Sequence, residues 1–163
     1  MHKREKFITI SFLTCAILLL LIICLNLFVM QIEVPSESML NTIPVGSKML
    51  VLRNSSGIGY GDLVVFHSDE MDEVMIKRLI GMPGDTVDIR EGTVYVNGEY
   101  LDESYISSYD DYSGTFFVPE DSYFFLGDNR ANSKDSRYWK NPYIHKSSII
   151  GKAIMFLSPL RLV

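Results

Sequence analysis

The beginning of the chain and the remainder follow different patterns of hydrophobic and polar positions. Residues 1–6 carry three positive charges and one negative charge, and residues 7–30 then form a run of 24 positions without a charged side chain. A helix of that length measures about 36 Å and can cross a hydrocarbon core of about 30 Å. The pattern therefore predicts a transmembrane anchor over residues 7–30.

A cleavable signal peptide is the alternative interpretation of this segment. Its apolar part would span only about 7–15 residues and would end in small residues at a cleavage site. The run in this chain is longer, and the residues that follow it, 29–35, offer no such site. We therefore expect an uncleaved anchor. The positive charges of residues 1–6 predict a cytoplasmic amino terminus, with residues 31–163 outside the cell.

Residues 31–163 consist of short apolar or alternating runs separated by turn residues, which is typical of β-strands. Asn97-Gly98 is a strong signal for a two-residue hairpin turn. The pattern predicts a mostly β fold without a long helix after the anchor. The predicted strands cover residues 48–53, 62–67, 74–80, 86–90, 93–96, 99–101, 115–118, 123–126 and 149–157, the last of which should close the chain. Residues 102–114, rich in acidic residues, Tyr and Ser, predict an exposed loop.

The charge of the exported part argues against one class of partner. Residues 1–30 contribute +2 to the formal net charge of -5, which leaves -7 for residues 31–163. An acidic domain repels the phosphate backbone of nucleic acids. We therefore expect no nucleic-acid partner.

The cysteines and histidines form no pattern that would bind a metal or support thiol chemistry. Cys15 and Cys24 lie nine positions apart in the predicted anchor, where they would face opposite sides of one helix and could not form a disulfide. The exported part contains no cysteine, which excludes a thiol peptidase. His2, His67 and His145 lack the spacing of metal ligands. We expect no metal and no cofactor.

Two segments suggest serine chemistry. Pro-Ser-Glu-Ser-Met, residues 35–39, follows directly after the anchor and would hold Ser38 near the bilayer surface, although these residues also suit an ordinary turn. Lys77 and Arg78 interrupt an apolar strand, so one of the two cations faces the more buried side unless the strand is a protected sheet edge. Apolar surroundings lower the pKa of a lysine, which then can act as general base for a serine hydroxyl.

A third segment, residues 127–137, is dense in hydrogen-bonding side chains: Gly-Asp-Asn-Arg-Ala-Asn-Ser-Lys-Asp-Ser-Arg. This density predicts an ordered polar network. Ser133 could orient a neutral lysine amine. Asp135 could pair with Arg137 or Arg78 and stiffen the scaffold.

Together these segments resemble the type I signal peptidases, especially the short Gram-positive-like forms. The matching stretches are residues 35–39, 61–66, 76–85 and 127–137, in the family's order behind an amino-terminal anchor. The resemblance implies a signal-peptidase-like complex β-fold with a single transmembrane helix. It also implies a membrane-bound serine endopeptidase that removes signal peptides from exported preproteins at small-x-small sites, through an acyl-enzyme.

The resemblance implies a role for each matching residue. Ser38 corresponds to the nucleophile and Lys77 to its general base, whereas Ser36 contributes to the oxyanion hole and Ser133 orients the lysine. The residues that would form the small apolar substrate pockets are Val34, Met39, Ile43 and Ile76. The residues that would form the structural polar network are Asp128, Arg78, Asp135 and Arg137.

One position departs from the family's pattern. Asn41 occupies a place where the family commonly has proline, which is expected to loosen a turn that supports the pocket. Two alternatives therefore stay open: a dedicated signal peptidase for a restricted substrate such as a pilin or matrix protein, and a non-catalytic membrane-anchored binding domain. The expected partners are exported preproteins and the lipid bilayer, and the protein is expected to be monomeric.

Overall fold

One long apolar helix begins the chain. The computed structural model describes residues 2–53, 57–106, 108–158 and 160–163. Helix α1 (His2–Phe28) is long and apolar enough to cross a membrane, because its 24-residue stretch Glu5–Phe28 has a mean hydropathy of 2.9. The apolar part of this stretch is not buried against the rest of the described chain. The helix ends two residues before the predicted limit of the anchor, since Val29 and Met30 already pair with a strand.

The remainder of the described chain is built mainly from short strands. They are β1 (Val29–Glu33), β2 (Lys48–Leu52), β3 (Leu63–Ser68), β4 (Glu73–Gly81), β5 (Thr86–Arg90), β6 (Thr93–Val96), β7 (Glu99–Tyr100), β8 (Gly114–Phe117), β9 (Ser122–Leu126), β10 (Ile144–His145), β11 (Ile149–Leu157) and β12 (Leu160–Leu162). Two short 3₁₀ segments lie at Arg130–Asn132 and Lys146–Ser148. The predicted mostly β fold with an amino-terminal apolar helix is confirmed.

The strands form two antiparallel sheets. The larger sheet has the order β1-β2-β11-β3-β4-β9-β10, with β12 paired to β11, and the smaller one has the order β7-β6-β5-β8. Four antiparallel pairings separate β1 from β4, so these two strands run in the same direction. Within the described residues, β1 pairs only with β2, and β9 pairs with β4 only from Arg78 onward. Two strand edges therefore have no pairing partner among the described residues: the edge of β1 that faces away from β2, and the edge of residues 73–77 in β4 that faces away from β3.

Three apolar clusters support these sheets. One lies beneath the free edges of β1 and β4 and includes Val34, Val65 and Ile76. The second contains the stacked rings of Phe66 and Phe125, whose centroids are 4.5 Å apart. The third joins the small sheet to β9. The first cluster positions the site described below.

Several boundaries differ from the sequence-based prediction. The predicted strands agree with the observed ones to within two residues, but β1, β10 and β12 were not predicted. Residues 149–157 do form a strand, yet Leu160–Leu162 folds back on it as β12, so it does not close the chain. The predicted loop over residues 102–114 holds no named helix or strand before β8, as far as its residues are described, but it is not fully exposed, because Glu103 and Ile106 are buried. The prediction that Cys15 and Cys24 form no disulfide falls partly outside the described residues, because the side chain of Cys24 is not among them.

Candidate active site

Ser36 and Ser38 lie in a turn directly after β1. Val34 fixes the start of this turn, because its N–H donates to the carbonyl of Ser47 at 3.0 Å and its own carbonyl accepts from Gly46 at 2.8 Å. The two serine hydroxyls are 3.2 Å apart, within hydrogen-bond distance. Ser38 retains 8% of its surface exposed. The turn therefore presents a reachable hydroxyl with a second hydroxyl beside it.

Asn41 shapes the continuation of this turn. Its φ of 81° lies in the left-handed region, which asparagine tolerates and which the ring of proline excludes. The N–H of Ile43 donates to the carbonyl of Met39 at 2.7 Å, which closes the turn around Asn41. The turn around Asn41 is thus closed by a hydrogen bond, in a backbone conformation that proline could not adopt at this position.

Lys77 lies in the free half of β4 and is only 2% exposed. Among the described residues, no hydrogen bond or ion pair holds its ammonium group. Burial lowers the pKa of Lys77 from 10.5 to about 8, and the carboxylate of Asp135 opposes only part of that fall. A lysine in this state is neutral in a large fraction of molecules at mildly alkaline pH.

An open groove brings these groups together. It has a volume of about 370 Å³ and is lined by residues 32–36, Ser38, Val65 and residues 73–77. Its two walls are the free edge of β1 and the free half of β4. The groove therefore places a serine hydroxyl and a buried lysine amine in one cavity bordered by backbone groups that can pair with an extended peptide.

The predicted apolar pocket residues divide into two pairs. Val34 and Ile76 line the groove. Met39 and Ile43 are completely buried in the cluster beneath it. Any direct contact between the second pair and a substrate stays a prediction.

Residues 127–137 hold the serine turn in place. Asn129 donates its backbone N–H to the carbonyl of Ser38 and its side-chain amide to the carbonyl of Glu37, both at 3.0 Å. Asn132 donates to the Glu37 carboxylate at 2.9 Å. At Gly127 a Cβ would lie 2.6 Å from the Ser38 carbonyl oxygen, so only glycine permits this close approach.

Ser133 approaches Gly127 from the same side as the Ser38 carbonyl. A Cβ at Gly127 would be 2.1 Å from the Ser133 hydroxyl, which is buried and has no hydrogen-bond partner among the described residues. The structure thus shows no hydrogen bond between Ser133 and Lys77. The orienting role stays a prediction.

The predicted polar network forms ion pairs that were only partly foreseen. Asp135 accepts from Arg137 through both oxygens at 2.8 Å. Arg78 pairs with Asp128 instead, at 2.8 and 2.5 Å. Asp135 also accepts the N–H of Gly127 at 2.9 Å, which ties this network to the serine turn.

Three further charged residues of the network were not predicted from the sequence. Arg130 pairs with Glu103, and Arg137 also pairs with Asp110. Both carboxylates lie 27 positions from their partners, in the segment that was predicted to be an exposed loop. Side chains that pair over such a separation leave no local pattern in a sequence.

The described residues contain no group of three or more His, Cys, Asp or Glu side chains arranged to hold a metal ion. The groups in the groove that could take part in chemistry include the serine hydroxyls, the Lys77 amine and the carboxylates of Glu33 and Glu73. A serine hydroxyl and a basic amine that line one groove are the two groups that an activated serine nucleophile requires.

Comparison with known proteins identifies the class. Residues 6–158 match the family described as signal peptidase, peptidase S26. The signal peptidase I of Leptolyngbya laminosa is 42% identical over 139 residues, covering 78% of this chain and 68% of that protein. Signal peptidase IB of Staphylococcus aureus (strain Mu50) is 33% identical over 172 residues, covering 92% of this chain and 88% of that protein.

A solved structure agrees with this result. The crystal structure of a signal peptidase I from Enterococcus faecalis V583 superposes with a TM-score of 0.52 at 35% identity, covering 60% of this chain and 97% of that one. The chain belongs to the signal peptidase family, peptidase S26. Its relatives place it among the type I signal peptidases, which confirms the predicted family and class of enzyme.

Proposed function

We propose that this protein removes signal peptides from exported preproteins at small-x-small sites, with Ser38 as nucleophile and Lys77 as general base. The observation that carries the proposal is the groove itself: it is lined by both residues, and the lysine is buried with no ion-pair partner among the described residues. A groove between two free strand edges suits an extended peptide.

The proposed reaction has two steps. The neutral amine of Lys77 takes the proton of the Ser38 hydroxyl, whose oxygen attacks the scissile carbonyl carbon. The Ser36 hydroxyl and the Ser38 N–H stabilise the oxyanion, and Lys77 then protonates the leaving amine. In the second step Lys77 deprotonates a water molecule that hydrolyses the acyl-enzyme. Ser36 is well placed for its role because its hydroxyl lies 3.2 Å from that of Ser38.

The two walls of the groove suggest the direction of the bound peptide. Since β1 and β4 run in the same direction and the catalytic pair lies at the ends of both walls, a peptide parallel to both strands would bring its carboxyl end to Ser38. Alternate side chains, at positions -1 and -3, would then point into the groove. In this proposal Val34 and Ile76, which line the groove, exclude larger side chains at these positions.

The anchor would hold the groove at the depth where the cleavage site of a membrane-spanning signal peptide leaves the bilayer. Only residues 29–37 separate α1 from Ser38, so a helix in the bilayer holds the groove near the membrane surface. We propose that residues 1–6 are cytoplasmic and that residues 31–163 lie outside. A signal peptide that spans the same bilayer would enter the groove from the side on which β1 begins.

The rate of cleavage is expected to rise with pH, with a midpoint near the Lys77 pKa of about 8. Below the midpoint the amine is protonated and cannot accept the serine proton, so kcat/KM falls about tenfold per pH unit. The profile can be measured between about pH 6 and 10 with a purified preprotein in neutral detergent. A Lys140→Ala variant, which changes an exposed lysine that does not line the groove, should keep the same midpoint. A flat profile would contradict the role of Lys77.

A panel of unrelated preproteins tests the proposed function and its range. All members with Ala at -1 and -3 should be cut at that site, and replacing the -1 Ala by Phe should lower kcat/KM by about a hundredfold or more. Mass spectrometry of the products would locate the cut. If only one substrate class is processed, the enzyme is a dedicated signal peptidase. If no member is cut, the proposed function is wrong.

A further inference from the structure

Two acidic side chains stand at the rim of the groove. Glu33 ends β1 and Glu73 begins β4, both are exposed, and both line the groove. Neither forms an ion pair with a cation of the described residues. Lys77, the nearest cation on β4, is buried at the catalytic end. This rim of the groove therefore carries two carboxylates that form no ion pair with any described cation.

The direction proposed for the peptide determines which part of it meets this charge. In a parallel pairing with β4, the peptide residue beside Glu73 lies four positions upstream of the peptide residue beside Lys77. If the -1 residue lies at Lys77, the -5 residue lies at Glu73, about 13 Å along the strand. Glu33 lies on the opposite wall, so the upstream peptide would pass between two carboxylates.

We infer that Glu33 and Glu73 select the charge of the substrate upstream of its small-x-small site, favouring Lys or Arg over Asp or Glu around position -5. The inference rests on the proposed function and adds to it a specificity determinant outside the apolar pocket. The -1 and -3 side chains decide whether a peptide fits the groove. Glu33 and Glu73 determine which of the peptides that fit the groove bind with higher affinity.

Glu73 is the stronger of the two determinants. Glu33 faces Lys48 across the β1–β2 pair, and this cation offsets part of its field although the two side chains form no ion pair. The register partner of Glu73 is Ser68, which carries no charge. Single exposed charge pairs change affinity only modestly. A change from Lys to Glu replaces attraction by repulsion, so we expect a ratio of about three- to tenfold in kcat/KM.

The test uses the full-length enzyme in neutral detergent and one preprotein with Ala at -1 and -3. Lys, Gln or Glu is placed at -5, and kcat/KM is measured for the wild type and for Glu73→Gln, Glu33→Gln and Glu73→Lys. Wild type should prefer Lys to Glu by about three- to tenfold, Glu73→Gln should lose most of this preference, and Glu73→Lys should reverse it. Glu99→Gln, on the small sheet, is the matched control and should retain the full preference.

Comparison of ratios separates substrate selection from an effect on Lys77. The field of Glu73 also reaches Lys77 and favours its charged form, but a change in the general base alters the rates of all three substrates by the same factor. The preference should also fall at about 1 M salt, which screens exposed charges. Equal cleavage of all three substrates by wild type would overturn the inference and leave the proposed function standing. Absence of cleavage of every substrate would overturn both.

Discussion

Replacing Lys77 with methionine is expected to abolish cleavage and to raise the free energy of unfolding at neutral pH by about 3 kcal/mol. Methionine keeps the length of the side chain and suits its 2% exposure. Loss of the base should lower kcat by about a thousandfold or more. The gain in stability follows because burial lowers the pKa of Lys77 to about 8 in the folded protein, compared with 10.5.

The pH dependence of this gain distinguishes it from a packing effect. Below about pH 8 the amine is charged in both the folded and the unfolded chain, and the folded protein bears the full cost of burying that charge. Between about pH 8 and 10.5 only the unfolded chain binds the proton, so the cost declines, and above that range it is absent. The extra stability of Lys77→Met should therefore be complete at pH 7 and disappear as the pH approaches 10.5.

Denaturant unfolding of the wild type and Lys77→Met between about pH 6 and 10 measures the effect. Lys140→Met, which changes an exposed lysine, should leave stability nearly unaltered at every pH. A Lys77→Met variant that is less stable than the wild type at pH 7 would show that the amine has a stabilising partner. A partner that holds the amine in its charged form would oppose its proposed role as general base.

Replacing Glu103 with alanine is expected to destabilise the protein by about 3–5 kcal/mol. The Arg130 side chain is only 2% exposed, and loss of its carboxylate partner leaves a buried charge unpaired. Arg130 also donates to the Gly127 carbonyl at 3.0 Å. The change should therefore loosen the contact between Gly127 and the serine turn and lower activity as well.

A double variant keeps this prediction testable. Glu103→Met combined with Arg130→Met removes both charges and should recover most of the lost stability, because replacing a whole buried pair by apolar side chains is often neutral. Asp121→Ala, which removes an exposed carboxylate paired with Lys146, serves as the control and should hardly change the unfolding midpoint. If Glu103→Ala also unfolds at the wild-type denaturant concentration, the pair does not stabilise the domain.

Local patterns allowed much of the architecture to be predicted from the sequence. The uncharged run of residues 7–30 predicted α1, and the alternating residues 86–96 predicted the β5–β6 hairpin. The pair Lys77-Arg78 in an apolar strand predicted that one of the two cations faces the more buried side, and Lys77 is only 2% exposed. Each of these properties depends on side chains that are neighbours along the chain.

Features that depend on distant contacts could not be predicted. The burial of Glu103 requires Arg130, which approaches it only after the chain has folded. Strand β12 forms because β3 covers only the first half of β11 and leaves the Met155–Leu157 edge free. The left-handed conformation of Asn41 likewise depends on the closing of the turn around it. A motif could locate the residues proposed to be catalytic, but it could not specify the groove between two free edges.

The most direct test of the account is cleavage of one preprotein with an Ala-x-Ala site by four purified full-length proteins in neutral detergent. These are the wild type, Ser38→Ala, Lys77→Ala and, as a control, Ser158→Ala at an exposed serine. A gel shift reports loss of the signal peptide. The account predicts complete processing by the wild type and the control and none by the other two. Processing by Ser38→Ala at the wild-type rate would contradict it, because another group would then be the nucleophile.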